Sequence, residues 1–244
     1  MIRFTPPLLE ARLVRRYKRF LADIEMPGGE IVVAHCANPG SMLGCNMPGS
    51  KVYLSPNTNP KAKLAWRWEM IEVDGHLVGI NTAHPNRLAE MAIGAGLIPE
   101  LAGYASIRRE VPYGEASRID LLLEGDGRSP AYVEIKNVSL RVGDEARFPD
   151  SVTARGTKHL HELMAVAATG GRAVMLFLVQ RGDCAAFRPA WEIDPKYAGA
   201  LSEAHDAGVE ILVRACHLTP DAIALGGALP LYLQAEGADA PAAG

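Results

Sequence analysis

The sequence lacks the features that would place the chain in a membrane or in an oxidising compartment. Its longest uninterrupted apolar run, Ala173 to Val179, is far too short to span a bilayer and suits a buried strand. The first twenty residues contain no long apolar stretch after their charges, so we expect no secretory signal. The four cysteines form no C-x-x-C pair, which argues against a disulfide scaffold. These absences predict a cytoplasmic protein with reduced thiols and no membrane partner.

A strong excess of either charge is also missing. The net charge of −3 weighs against an obvious nucleic-acid binder, but the charges are unevenly placed. Residues 1–84 carry ten Lys and Arg against seven Asp and Glu, whereas the rest carries fifteen against twenty-one. This asymmetry fits a basic binding module beside an acidic, metal-attracting one. No internal repeat is visible, and 244 residues suffice for one large domain or two modest ones.

One stretch, residues 118–136, does carry charges arranged for chemistry. Two apolar-rich runs, "RIDLLLE" and "AYVEIKNV", predict β-strands joined by the turn "GDGRSP". Because strand side chains alternate between faces, antiparallel pairing brings Asp120 together with Glu134 and Lys136. Neighbouring carboxylates repel each other unless a shared proton or a divalent metal lies between them. The alternative is a solvated strand face with no ligand.

The first 84 residues predict short strands with little helical periodicity. Five strands, the first of them within residues 11–26, suggest a small closed barrel of OB type, which often binds oligonucleotides. Cations beside aromatic rings suit single-stranded nucleic acid, since the cations hold phosphates and the rings stack on bases. The candidates in this domain are Arg15, Arg16, Lys18, Arg19, Lys61, Lys63, Arg67, Trp66 and Trp68. The alternative is that the aromatic residues simply fill the core.

A loop over residues 35–50 is crowded with Gly, Pro, Asn and Ser. It contains His35, Cys36 and Cys45, which are zinc-ligating residue types, but their spacing does not match a closed site and no fourth ligand is apparent. A tight loop that offers backbone N–H groups to a phosphate or to another domain is the favoured interpretation.

From residue 85 onward the pattern alternates helices and strands in the order α-β-β-β-α-β-α-β, with residues 141–156 predicted as a polar loop. A helix, a three-strand meander, a crossover helix and a further strand form the core of the PD-(D/E)xK nuclease-like fold. Its Asp lies on the second strand and its Glu-x-Lys on the third, as Asp120 and Glu134 do here. We therefore predict a mixed α/β (α+β) chain: an OB-like barrel over 1–84, a PD-(D/E)xK nuclease-like domain over 85–235 and a disordered tail over 236–244.

Long strings of the sequence resemble the sugar fermentation stimulation protein A family of bacteria. They include "RLVRRYKRFLADIE", "HCANPGSMLGC", "GINTAHPNRLAEMAI", "YVEIKNVSL" and "FPDSVTARGTKHLHEL". The resemblance implies an OB-like domain, a nuclease-like domain, DNA binding with little sequence preference and a regulatory role in sugar (maltose) utilisation. Ala37 and Pro39 depart from the family's usual "CPNTGSM" at two loop positions.

Roles for individual residues follow as hypotheses. Asp120 and Glu134, with the backbone carbonyl of Ile135, are predicted to bind one Mg²⁺ or Mn²⁺, and Lys136 to position the attacking water. Glu90, from the preceding helix, is predicted as a further metal ligand, and Gln180 as a catalytic residue that holds the water or a phosphate. Residues predicted to line the cleft or to neutralise DNA phosphates are Asp150, Arg108, Arg109, Arg118, Arg155 and Lys158. The plain alternative for each of these outer residues is a surface salt bridge.

Three classes of function stay open on the sequence. The first is a Mg²⁺-dependent nuclease, and the second is a DNA-binding regulator that keeps the nuclease fold but cuts nothing. The third is a sugar-responsive protein with the barrel as its ligand site. A homodimer is a further expectation.

Overall fold

The N-terminal part of the chain is a closed β-barrel in the computed structural model, which describes residues 1–114, 117–235 and 237. A short strand, β1 (Ile2–Arg3), precedes it. The barrel strands are β2 (Leu9–Tyr17), β3 (Leu21–Glu25), β4 (Ile31–Cys36), β5 (Lys51–Pro56) and β6 (Trp66–Val73). Neighbours pair antiparallel in the order β4-β3-β2-β5-β6, and a parallel pairing of β4 with β6 closes the barrel. A hairpin strand, β7 (His76–Gly79), extends from β6.

The predicted number of barrel strands is right, but their assignment differs. The stretch 11–26 folds as the β2–β3 hairpin, with a turn in which Lys18 and Arg19 adopt positive φ angles of 48° and 62°. The predicted fifth strand is β7, which pairs with β6 and forms a single bridge to Arg181, so it does not close the barrel. Trp68, expected as a stacking platform, is wholly buried in the barrel core, where its indole Nε1 donates to the Met70 carbonyl at 2.8 Å. Trp68 is therefore a core residue, as the alternative interpretation held.

The second part of the chain is a seven-stranded mixed sheet between helices. It begins with α1 (His84–Gly94) and a 3-10 turn at Pro99–Leu101. The remaining elements are β8 (Ser106–Tyr113), β9 (Ser117–Glu124), β10 (Ala131–Val138), β11 (Leu140–Val142), β12 (Glu145–Phe148), α2 (Ala154–Ala168), β13 (Arg172–Val179), β14 (Ala186–Pro189), α3 (Pro195–Asp206), β15 (Glu210–Thr219) and β16 (Ala222–Ala228). The sheet order is β1-β16-β15-β13-β10-β9-β8, with β10, β13 and β15 mutually parallel.

Two apolar layers cover this sheet. The helix α1 packs on one face, in a cluster that includes Leu88, Val133 and Leu176. The helices α2 and α3 pack on the other face, with Leu160 and Phe177 among the buried residues. Side chains cap both of these helices at their N-termini, because Thr153 accepts from the Gly156 amide and Asp194 from the Tyr197 amide. The predicted fold class, a barrel followed by an α/β domain, is confirmed.

Two details of the second part differ from the expectation. The predicted polar loop 141–156 contains most of β11 and all of β12, which join β14 in a separate three-stranded sheet. The strand β1 lies within the predicted barrel domain, yet it pairs with β16 in the second sheet. Apart from Gly237, the predicted disordered tail 236–244 lies outside the described residues.

Two further features of the structure are the length of its helices and the state of its cysteines. No helix in the described part of the chain is both long and apolar enough to cross a membrane. All four cysteines are free thiols, as the absence of a C-x-x-C pair predicted.

Candidate metal centre

The predicted acidic residues lie where β9 and β10 separate. The two strands pair from Leu123 with Ala131 to Leu121 with Val133, and beyond that point they no longer pair. The Asp120 side chain enters the gap, and its Oδ2 accepts the backbone N–H of Ile135 at 2.7 Å. The carboxylate therefore takes a bond that a strand carbonyl would otherwise accept. Its Oδ1 accepts the amide of Asn86, at the start of α1, also at 2.7 Å.

Glu134 is buried beside this gap, with a side chain only 3% exposed. Its Oε1 accepts a hydrogen bond from the Lys136 ammonium at 2.7 Å and contacts the His159 ring at Nδ1. Its Oε2 is buried with no hydrogen-bond partner among the described residues. Since nearly all buried polar atoms in folded proteins have a partner, this oxygen is a natural position for a ligand.

His159, on α2, belongs to the site but was not predicted from the sequence. Arg155, one turn earlier, donates from its Nε to His159 Nε2 at 3.3 Å. A guanidinium can only donate, so Nε2 accepts and the ring proton lies on Nδ1, directed at Glu134. The sequence feature that could have identified His159 is its position on the buried face of the crossover helix, next to Leu160 and four residues before Leu163. That position is equally typical of a core histidine, so the pattern alone does not identify a site.

The two carboxylates differ in their electrostatics. Burial, and then the charge of Glu134, raise the pKa of Asp120 to about 6. Burial also acts to raise the pKa of Glu134, but the His159 hydrogen bond and the Lys136 charge outweigh it, so the pKa is lowered. Glu134 is therefore held ionised while its charge resists the ionisation of Asp120. A cation between the two groups would remove this conflict.

The oxygen donors present are suited to a hard divalent cation, but a third acidic ligand is not among them in the part of the chain that the structure describes. Two carboxylates and the carbonyl of Ile135 are oxygen ligands of the kind that Mg²⁺ and Mn²⁺ prefer, with waters completing the shell. In the described ranges, no group of three or more His, Cys, Asp or Glu side chains is placed to hold an ion. The site is thus a two-carboxylate site. Glu90 forms an ion pair with Arg109, which does not favour its predicted role as a third acidic ligand.

A cavity of about 390 Å³ opens next to Lys136, between the barrel and the second domain. The barrel contributes the loop 38–40 to its wall, and the second domain contributes Lys136, Asn137, Asp150 and Arg155 among others. Two positions predicted to line a cleft, Asp150 and Arg155, therefore do so.

The loop that forms one wall of the cavity is held from both domains. Arg16 donates to the carbonyls of Asn38 and Gly40 at 2.8 Å and to that of Ser41 at 3.2 Å. From the other side, Asp150 Oδ2 accepts the Met42 backbone N–H at 2.9 Å. The loop thus offers a backbone N–H to another domain, which was one of the two favoured interpretations. The contacts of Arg16 favour a structural role for it over the predicted nucleic-acid contact.

The cysteines of this loop region are buried in the barrel core. Burial raises the pKa of the Cys36 thiol, and raises that of Cys45 to about 11. Both thiols are therefore protonated at neutral pH. Cys45 directs its Sγ to the Ser139 carbonyl at 3.8 Å.

The other predicted residues lie outside the acidic site. Both amide atoms of Gln180 are buried without a partner in the described part of the chain, and its Oε1 lies 2.6 Å from the position that a Cβ on Gly79 would take. Gln180 therefore lies against Gly79 of β7, and its catalytic role stays a prediction. Trp66 and Arg67 are half-buried, while Lys18, Arg19, Lys61 and Lys63 are exposed on the barrel surface. Besides Arg16 and Arg109, the predicted cations with an acidic partner or a backbone acceptor are Arg15 with Asp23, Arg108 with Glu124, Lys158 with Glu162, and Arg118 with the Glu110 carbonyl.

Comparison with known proteins supports the fold and identifies the family. A family described as the SfsA N-terminal OB domain matches residues 14–80, and one described as the sugar fermentation stimulation protein RE domain matches residues 83–222. A sugar fermentation stimulation protein homolog of Paramagnetospirillum magneticum is 57% identical over 95% of this chain and 98% of its own. The homolog of Rhodospirillum centenum is 58% identical over 94% of this chain and 99% of its own.

A solved structure agrees with these sequence matches. The structure of Pyrococcus furiosus SfsA in complex with Ca²⁺ superposes with a TM-score of 0.86 at 31% identity, covering 95% of this chain and 98% of that one. The agreement extends over both domains in sequence and in fold. The chain belongs to the sugar fermentation stimulation protein family.

Proposed function

We propose that the protein binds DNA with little sequence preference and hydrolyses its phosphodiester bonds with Mg²⁺ or Mn²⁺ at Asp120 and Glu134. The observation that carries this proposal is the unpartnered Oε2 of Glu134, buried beside a second carboxylate and next to an ammonium. The Ca²⁺ complex of the Pyrococcus furiosus relative supports a divalent cation, because Ca²⁺ and Mg²⁺ both prefer oxygen ligands.

The arrangement of donors around Glu134 leaves one oxygen for a ligand. Lys136 and His159 both approach Oε1, and the His159 Nδ1–H fixes the carboxylate in place. Asp120 is fixed in the same way by Asn86 and the Ile135 amide. When bound, a divalent cation lowers the pKa of a water and offsets charge that develops on a phosphate.

Lys136 is the residue that we expect to contact the substrate or the attacking water. Its side chain is 14% exposed and lines the cavity, so its ammonium can donate to a water or to a phosphate oxygen there. Arg155 lines the same cavity and adds positive charge on the side of α2. The cavity between the two domains would then hold the phosphodiester, with the loop 38–40 opposite the catalytic residues.

A second candidate function is a DNA-binding protein that cuts nothing. Its support is that three of the four carboxylate oxygens of Asp120 and Glu134 already accept hydrogen bonds from other groups of the protein. In that case the Lys136–Glu134 pair stabilises the domain and takes no part in chemistry. The regulatory role in sugar utilisation stays a prediction from the family resemblance.

The experiment that separates these functions is cleavage of single- and double-stranded DNA with Mn²⁺ or with EDTA. We expect Mn²⁺-dependent cleavage by the wild type and a loss of at least about 100-fold in Glu134→Gln, which keeps an acceptor for Lys136 but lacks the negative charge. Glu72→Gln, on the surface of the barrel, is the matched control. DNA binding without any cleavage in the wild type would support the second function and contradict the first.

A further inference from the structure

A second cavity, of about 210 Å³, lies at a different junction of the two domains. Its wall is built from the N-terminal segment 2–6, from β5, β6 and the residues that follow β5, and from the first turn of α1. The barrel and the second domain both contribute, because β1 pairs with β16 in the sheet of the second domain. Neither the proposed cleavage site nor its residues lie in this wall.

Three arginines from these separate segments line the cavity: Arg3, Arg67 and Arg87. Arg67 comes from β6, Arg87 from the first turn of α1 and Arg3 from β1. In the described ranges none of the three forms a salt bridge, so no guanidinium group of the cavity is committed to an acidic partner. The first turn of α1 contains no acidic residue either.

The one carboxylate in the wall is already fully used. Glu69 Oε1 accepts the Ser55 hydroxyl at 2.5 Å, and Oε2 accepts the Asn81 amide at 2.6 Å and the His84 Nε2–H at 2.7 Å. These bonds lower the pKa of Glu69 against the effect of its burial. These bonds occupy both oxygens of Glu69, so the carboxylate forms no ion pair with the arginines, and three guanidinium charges line this wall with one carboxylate charge.

Arg67 supplies the observation that points to a ligand. Its Nε is buried and has no hydrogen-bond partner among the described residues. A buried guanidinium donor without an acceptor is unfavourable, and an anion in the cavity would satisfy it. Arginine forks match the oxygen geometry of phosphate better than that of a monoatomic anion.

We propose that Arg3, Arg67 and Arg87 form a binding site for a phosphate group. The cavity is smaller than the roughly 300–1,000 Å³ typical of sites for drug-sized ligands, so it suits a single phosphate and not a whole nucleotide. The phosphate comes either from a nucleic-acid strand or from a free phosphorylated compound. This site is separate from the metal centre and does not depend on cleavage.

The test is a titration of inorganic phosphate into the metal-free full-length protein, measured by isothermal titration calorimetry. EDTA is present and the ionic strength is held constant. We expect saturable binding by the wild type, weakened about 10- to 100-fold by Arg67→Gln and by Arg87→Gln, since each removes a charged hydrogen bond. Arg87 is exposed, so its variant tests the site even if Arg67→Gln folds poorly. Arg19→Gln, which makes the same charge change on the barrel surface, is the matched control and should bind like the wild type.

Two further arms identify the source of the phosphate and separate this site from the proposed cleavage site. A short single-stranded oligonucleotide is compared with and without a 5′-terminal phosphate. Preference for the phosphorylated form that Arg87→Gln abolishes supports a nucleic-acid end, whereas no preference alongside binding of inorganic phosphate supports a free phosphorylated compound. Asp120→Asn should bind phosphate normally, even if no DNA is ever cleaved. The proposal would be overturned if the wild type showed no saturable phosphate binding. It would also be overturned if Arg67→Gln and Arg87→Gln bound phosphate as tightly as the wild type.

Discussion

Two buried glutamates of this protein have similar surroundings but different hydrogen bonding. Glu69 and Glu134 are each 3% exposed at the side chain, and each contacts a histidine from a neighbouring helix. All the acceptor oxygens of Glu69 are in use, whereas Glu134 keeps one oxygen without a partner beside the Asp120 carboxylate. The saturated carboxylate stabilises a domain junction, and the unsaturated one is suited to bind a ligand. For a buried carboxylate, an oxygen without a hydrogen-bond partner indicates a binding function, whereas burial alone does not.

Glu69 is expected to be required for stability, because both of its oxygens accept hydrogen bonds within the protein. We expect Glu69→Leu to lower the free energy of unfolding by about 3 kcal/mol or more, because the Ser55, Asn81 and His84 donors lose their acceptor while they stay buried. Urea denaturation measures the change. Glu72→Leu, on the same strand but paired with Lys51 at the surface, should cost less than about 1 kcal/mol. Equal effects of the two substitutions would contradict the structural role of Glu69.

The histidines that contact the two glutamates are expected to differ in their effect on cleavage. We expect His159→Leu to reduce Mn²⁺-dependent cleavage by about 10- to 100-fold and to raise the half-saturating Mn²⁺ concentration, because it removes the donor that fixes Glu134. His159→Asn should recover most of the activity, since the asparagine amide can replace the Nδ1–H. His84→Gln, with its amide in place of Nε2–H, should leave cleavage within about twofold of the wild type. If His159→Asn is as defective as His159→Leu, a hydrogen bond is not what the histidine supplies.

The acidic site was predictable from the sequence to a limited depth. The spacing of Asp120 from the Glu-x-Lys motif placed the two carboxylates on neighbouring strands. Alternation and antiparallel pairing did not predict how they meet, because the strands separate beyond Leu121 and Asp120 bonds to Asn86 and to the Ile135 amide. His159 was not predictable in the same way, since its contact with Glu134 depends on how α2 crosses the sheet. The same limit applies to Arg16, which reads as an exposed cation in a basic strand yet holds a distant loop. The short strands β11 and β12 have too few residues for periodicity to distinguish them from a loop.

The pH dependence of stability tests the carboxylate that neighbours Glu134. The folded chain holds a proton on Asp120 with a pKa of about 6, against a usual value of 3.8, so its contribution to stability is complete below the usual pKa and is lost as the pH rises through about 6. The full difference corresponds to about 3 kcal/mol, and because Asp120 is only partly buried we expect about 2 kcal/mol. Metal-free wild type should therefore lose this much stability relative to Asp120→Asn between about pH 4 and pH 7. Parallel stability curves for the two proteins would show that neither burial nor the charge of Glu134 raises the pKa of Asp120.

A change in salt dependence is expected for the cations near the loop 38–40, which forms one wall of the cavity next to Lys136. Arg16 is committed to the loop carbonyls, whereas Lys18 and Arg19 are exposed at the adjacent hairpin turn. If the turn contacts DNA phosphates, Lys18→Gln with Arg19→Gln should reduce the slope of log affinity against log salt by about 0.9 for each lost contact on duplex DNA, with no change in thermal stability. Arg16→Gln should instead lower thermal stability, because three carbonyl contacts are lost together. A salt slope that changes only in Arg16→Gln would mean that the loop, and not the exposed turn, guides the polyanion to the acidic site.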